Sequence, residues 1–119
     1  MTNNQINSLI YQTNVCALVS SYNQKLCILP LAYKVNVNNG VYYFSFDLDK
    51  YQPLIENITN NSNVCIYITN TTNNRTDSVV GYGVAKVSKA SFNNFDYDAL
   101  DCYKIIVRIN TFRSYSCYN

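Results

Sequence analysis

Asp47 and Asp49 stand two residues apart in "SFDLDK", with Lys50 directly behind them. Two carboxylates this close raise the question of a paired-acid site. A carboxylate-pair hydrolase sets its two acids across a scissile bond. These two instead flank the start of a helix read over the next residues, where the helix dipole favours acids in any case. The chain has no histidine, which removes the Ser–His and Cys–His nucleophile systems and histidine-ligated haem. Cysteines at 16, 27, 65, 102 and 117 are scattered, with no Cys-x-x-Cys. A zinc site would need cysteine and carboxylate alone, and none is expected. The only GxG, Gly81-Tyr82-Gly83, lies in a strand pattern and lacks the third glycine of a dinucleotide loop. An enzymatic reading therefore needs a cofactor to carry the chemistry.

The elements that must position these residues follow from periodicity. Ile6, Leu9 and Ile10 recur at helical spacing, predicting a helix over 3–12 capped by Thr2 or Asn3. "VCALVSSY" (15–22) reads as a strand and Asn23-Gln24-Lys25 as a tight turn. "LCILPLAYKV" (26–35) reads as a second strand, and its Pro30 belongs at an edge or a bulge, because proline donates nothing to a ladder. "NVNNG" turns the chain into "VYYFSF", a third strand. There Tyr43 points one way and Tyr42, Phe44 and Phe46 the other, so both faces are apolar. Pro53 suits the first turn of a second helix carrying Leu54, Ile55 and Ile58. Strands follow at 64–69, 78–88 and 102–112, with loops at 70–77 and 91–100, the latter a loop or short helix. Gly81 and Gly83 mark a bulky neighbour or a sharp bend in the fifth strand.

The bulk composition narrows the classes further. At 119 residues, one domain spanning 1–119 is expected. Hydrophobic residues make up 48%, which is too apolar for disorder. A net charge of +2 with 13% charged residues is not the footprint of a nucleic-acid binder. No apolar stretch is long enough to span a bilayer and no basic run suits a membrane surface, so neither nucleic acid nor membrane is expected as a partner. The first residues lack a basic head and an apolar run, so no secretory signal is read. Cys16, Cys27 and Cys65 sit in apolar runs, as thiols do in a reducing compartment, and a cytoplasmic location is expected.

Taken in order, these pieces resemble the pyridoxamine 5'-phosphate oxidase-like FMN-binding split-barrel family, which includes small general stress and nitroimidazole-resistance flavoproteins. "ALVSSYNQKLCILPLAYKV" looks like its first hairpin, "NNGVYYFSF" like its third strand, and "LIENITNNSNVCIYI" like its helix, turn and fourth strand. "DSVVGYGVAKVS" and "YKIIVRINTFRSY" look like its last two strands. The resemblance implies a mainly β fold: a six-stranded antiparallel split β-barrel with one N-terminal helix and one helix between strands three and four. It implies a homodimer with FMN at the subunit interface, and a flavin-dependent oxidoreductase acting on a small-molecule ligand of unknown identity. Leu29, Pro30 and Leu31 would then follow the isoalloxazine edge through backbone groups. Phe44 and Ser45 would stand where strand three meets the flavin. Lys50 would take the phosphate beside a helix N-terminus. Several departures are visible: the arginines that grip the substrate phosphate in true pyridoxamine phosphate oxidases have no clear counterpart, and the loop before the last strand is short. Aligned from the helix end, Leu54 falls where the family has its phosphate lysine. Ser45 stands where the nitroimidazole-resistance branch has a histidine. Two other readings stay open: a flavin-binding module without turnover, and a degenerate dimeric barrel that has lost the flavin.

Overall fold

The computed structural model describes residues 1–49, 53–89 and 102–118. Lys50 and the loop read at 91–100 lie outside the described residues. The chain begins with helix α1 (Asn3–Gln12), followed by strands β1 (Val15–Tyr22), β2 (Lys25–Ala32), β3 (Lys34–Asn38) and β4 (Val41–Asp49). Helix α2 (Pro53–Asn60) then leads to β5 (Asn63–Thr72), β6 (Arg75–Lys89) and β7 (Cys102–Tyr118). Every strand pairing is antiparallel, and the order across the sheet is β2-β1-β5-β6-β7-β4-β3.

The expected six-stranded barrel is therefore corrected: the described residues form seven strands in one open sheet. The extra strand arises at Tyr33, in the middle of what reads as one apolar run. Tyr33 is the last residue tied to β1, one step beyond the Val15–Ala32 pair. Its N–H donates to the Asn14 carbonyl at 3.0 Å, and its hydroxyl donates to the Ile10 carbonyl at 2.6 Å. Its ring meets Phe44 edge-on at 5.1 Å. The hydroxyl bond and the ring packing hold Tyr33 at the junction between the two strands. The chain thus steps from one free edge of the sheet, β2, onto the other, β3, across a single residue.

Local rules account for the rest. The Thr2 hydroxyl accepts from the Gln5 N–H at 3.2 Å, and the Gln5 side chain accepts from the Thr2 N–H at 2.8 Å, a capping box that starts α1. Ile6, Leu9 and Ile10 then face the core. The β1–β2 and β3–β4 hairpins close through two left-handed residues each, Asn23 and Gln24 (φ 52° and 62°) and Asn39 and Gly40 (φ 52° and 78°), matching the strand twist. Pro30 does sit on an edge strand, opposite Ala17. The face predicted for the aromatic strand also holds: Phe44 and Phe46 are fully buried, and Tyr43 turns outward. Helix α2 buries Leu54, Ile55 and Ile58, together with Asn57. That buried amide donates to the Ser20 hydroxyl at 3.2 Å and the Lys25 carbonyl at 3.4 Å, which ties α2 to the first hairpin.

Candidate functional site

The residues singled out from the sequence divide between the two sides of this sheet. Leu29 and Leu31 are half-buried and pack on the core, while Pro30 is exposed on the outer face. Phe44 has no exposed surface and points inward. Ser45, beside it, faces out, with its hydroxyl 3.5 Å from the Lys34 carbonyl that it donates to. Lys34 is the cross-strand partner of Ser45, and Leu31 lies three residues before Lys34 in the chain. The two predicted stretches therefore approach each other at the Tyr33 junction.

A larger feature was not read from the sequence. On the outer face, where β6, β7 and β4 lie side by side, a groove of about 610 Å3 is lined by Tyr43, Tyr82, Val84, Lys86, Ile106 and Arg108. A second hollow of about 470 Å3 shares Tyr82, Gly83 and Val84 with it and continues over Val19 and Cys65 on β1 and β5. The ladder explains the lining. Tyr43 pairs with Arg108, and Ser45 with Ile106. Val84 also pairs with Arg108, and Lys86 with Ile106. Paired residues share a face, so one patch three strands wide carries tyrosine, aliphatic and cationic side chains. Tyr82 is 70% exposed and Val84 54%. Asn110 and Thr111 reach the groove from a bulge in β7, where the register shifts between Gly81 and Gly83. The outward parity of Lys104, Ile106 and Arg108 is visible in the sequence, but which strands flank β7 is not.

The electrostatics leave the groove positive. The described residues form one salt bridge, Arg75 to Asp77 at 2.7 Å, far along the β6–β7 arm. There the Ser116 hydroxyl and then Arg75 hold the Asp77 carboxyl below its ordinary range. Among the described residues no cluster of metal-ligating side chains occurs. Inside the sheet, burial pushes the Cys16 thiol up to about 12, and burial followed by the nearby Cys16 raises the Tyr33 phenol. Cys16 is therefore an inert core thiol. Native protein treated with a thiol-alkylating reagent at neutral pH should be labelled at exposed Cys117 and not at Cys16 until it is unfolded. Mass spectrometry of the labelled peptides checks this, and rapid native labelling of Cys16 would contradict the burial argument.

No protein-family model matches the chain, and no curated protein matches it in sequence. Solved structures match it in fold. The FAD binding protein from Mycobacterium smegmatis superposes with a TM-score of 0.75 at 12% identity, over 100% of this chain and 98% of that one. A Listeria innocua protein provisionally described as a pyridoxamine 5'-phosphate oxidase gives 0.70 at 15% identity, over 93% and 95%. The General Stress Protein 26 from Bacillus anthracis gives 0.67 at 16% identity, over 98% and 97%. The described residues thus form two helices and an antiparallel sheet with a groove on its outer face. More narrowly, the chain has the fold of the pyridoxamine 5'-phosphate oxidase-like split-barrel family.

Proposed function

We propose that this chain is a small flavin-binding protein, with FMN as the flavin, and that it acts as a flavin-dependent oxidoreductase. The observation that carries the reading is the outer-face groove, where tyrosine and aliphatic side chains lie beside two cations on a fold shared with FAD-binding proteins. Its volume of about 610 Å3 lies within the range of small-molecule sites. The residues suit the group: Val84 and Ile106 offer apolar surface to a flat ring, and Tyr43 and Tyr82 flank it. When bound, FMN would supply hydride or electron transfer. The protein's own part is to orient the ring, shield one of its faces from water and hold its charged end. Tyr43, Tyr82 and Thr111 carry the hydroxyls that line the groove, and Ser45 follows Tyr43 by two residues on the same face of β4.

A second copy of the chain is the proposed cover for the outer face. Leu26 (65% exposed) and Ile28 (58%) extend the apolar surface beyond the groove, and contiguous apolar patches of this kind mark interaction surfaces. The proposed compartment is the cytoplasm, in keeping with free thiols at Cys16, Cys27, Cys65 and Cys117. No helix among the described residues is long and apolar enough to cross a membrane. A module that holds flavin without turnover is the second reading; the absence of histidine favours it, since the chain lacks the usual proton-transfer side chain.

The test is the visible absorption spectrum of purified protein before and after incubation with FMN and dialysis. Flavin bands that stay with the protein are expected, together with a dimer by sedimentation. Bleaching of those bands by a reduced nicotinamide nucleotide separates the oxidoreductase from the module. Protein that remains colourless after FMN has been offered overturns the flavin reading.

A further inference from the structure

Four outer-face residues of β6 and β7 form a two-by-two block. Lys86 stands opposite Ile106, and Val84 opposite Arg108. The two cations therefore occupy one diagonal and the two aliphatics the other. Diagonal neighbours on a sheet lie about 7–8 Å apart, within reach of long side chains. Two like charges at that spacing on an exposed patch repel each other, and an anion between them converts the repulsion into attraction. Among the described side chains, the carboxylate of the neighbouring rows on this face, Asp47, is paired with Lys104 across β4 and β7, beyond Ile106 from Arg108. Tyr43 is the other cross-strand neighbour of Arg108.

We infer that Lys86 and Arg108 form an anion-binding pair that selects a phosphorylated planar ligand over its uncharged counterpart. The aliphatic diagonal, Val84 and Ile106, takes the flat apolar body, and the cationic diagonal takes the phosphate. This rests on the flavin reading above. It assigns the phosphate to two residues on β6 and β7, where the sequence pointed to Lys50. Arg108 is suited to two parallel hydrogen bonds to phosphate oxygens, and Lys86 to a point-charge contact.

The experiment titrates FMN and riboflavin, which differ by the phosphate, into wild-type protein and into Lys86→Gln, Arg108→Gln and Lys104→Gln. Flavin fluorescence is the readout. Wild type is expected to bind FMN at least about tenfold more tightly than riboflavin, and each groove variant to lose about tenfold or more for FMN alone. Lys104→Gln, which removes the same charge one row outside the block, is expected to bind as wild type does. FMN binding should also weaken with added salt while riboflavin binding stays level. Equal affinity for FMN and riboflavin in wild type would leave the flavin reading standing and overturn the anion pair. So would a phosphate preference that survives in both groove variants. If neither flavin binds, the flavin reading fails, and the anion pair falls with it.

Discussion

Replacing Phe44 with alanine is expected to lower the unfolding free energy by about 3–5 kcal/mol, the usual cost of removing a buried ring. The ring has no exposed surface. It meets Tyr33 edge-on at 5.1 Å and Phe112 at 5.9 Å, contacts that add to its area burial. Its backbone is paired with Val35 on one side and Val107 on the other. The cavity would therefore open under the single-residue step that carries the chain between the two sheet edges. Tyr33 would lose its packing partner, while its hydroxyl bond to Ile10 remained. Phe44→Leu keeps most of the volume and is expected to cost much less. Urea unfolding followed by circular dichroism measures both. A Phe44→Ala loss below about 1 kcal/mol would mean that the ring is not core. Full stability combined with lost FMN retention would move its role to the ligand.

Much of the fold could be read from local pattern. Both helices, the first hairpin, the edge position of Pro30 and the two-faced aromatic strand follow from spacing and turn chemistry. What failed was non-local. The run 26–35 alternates as a single strand would, and nothing near Tyr33 in sequence marks the break. The contacts that hold Tyr33 at the break are with the Ile10 carbonyl, far earlier in the chain, and with the Phe44 ring, later in it. The polar stretch 70–77 reads as loop because it is rich in Asn and Thr, yet 70–72 and 75–77 are strand on either side of a two-residue turn. Cross-strand hydroxyl contacts support it there: Thr71 to Thr76 at 3.0 Å, Thr69 to Ser78 at 3.1 Å, and Ser116 donating to Asp77 at 2.7 Å. Tyr115 and Tyr118, beyond the strand read at 102–112, belong to the same arm, paired with Ser78 and Arg75.

The groove was hidden for the same reason. Tyr43, Val84 and Arg108 are far apart in sequence and become neighbours only because β7 lies between β6 and β4. The alternation in 103–109 shows that Ile106 and Arg108 share a face. It does not show that Lys86 and Tyr43 stand on either side of them. Lys50, selected for its charge beside a helix start, lies outside the described residues.

Gly83→Ala is the second substitution expected to have a large effect, through the backbone that shapes the groove. Opposite Tyr82 the ladder slips: Gly81 pairs with Phe112 and Gly83 with Ile109. Three steps on β7 thus match two on β6, and the excess bulges out as Asn110 and Thr111. A Cβ at Gly83 would run into the carbonyl oxygen of Arg108 and lie 2.7 Å from Ile109 Cγ1. A backbone oxygen held in a ladder has nowhere to move, so β6 and β7 must part. At Gly81 the same addition would meet the Phe112 ring at 2.6 Å and Ile109 Cδ1 at 2.9 Å. The half-buried Phe112 ring can turn aside, which makes Gly81→Ala the milder change. Overpacking of this kind costs about 1–3 kcal/mol, with Gly83→Ala expected at the upper end. Parting the strands at Arg108 would also shift the guanidinium away from Lys86, so FMN affinity should fall in Gly83→Ala even at temperatures where the variant is fully folded. Thermal melts and FMN titration below the melting range separate the two effects. Wild-type melting of Gly83→Ala would show that the bulge has slack for a methyl group, and the close approach of β6 to β7 would then not be what requires glycine there.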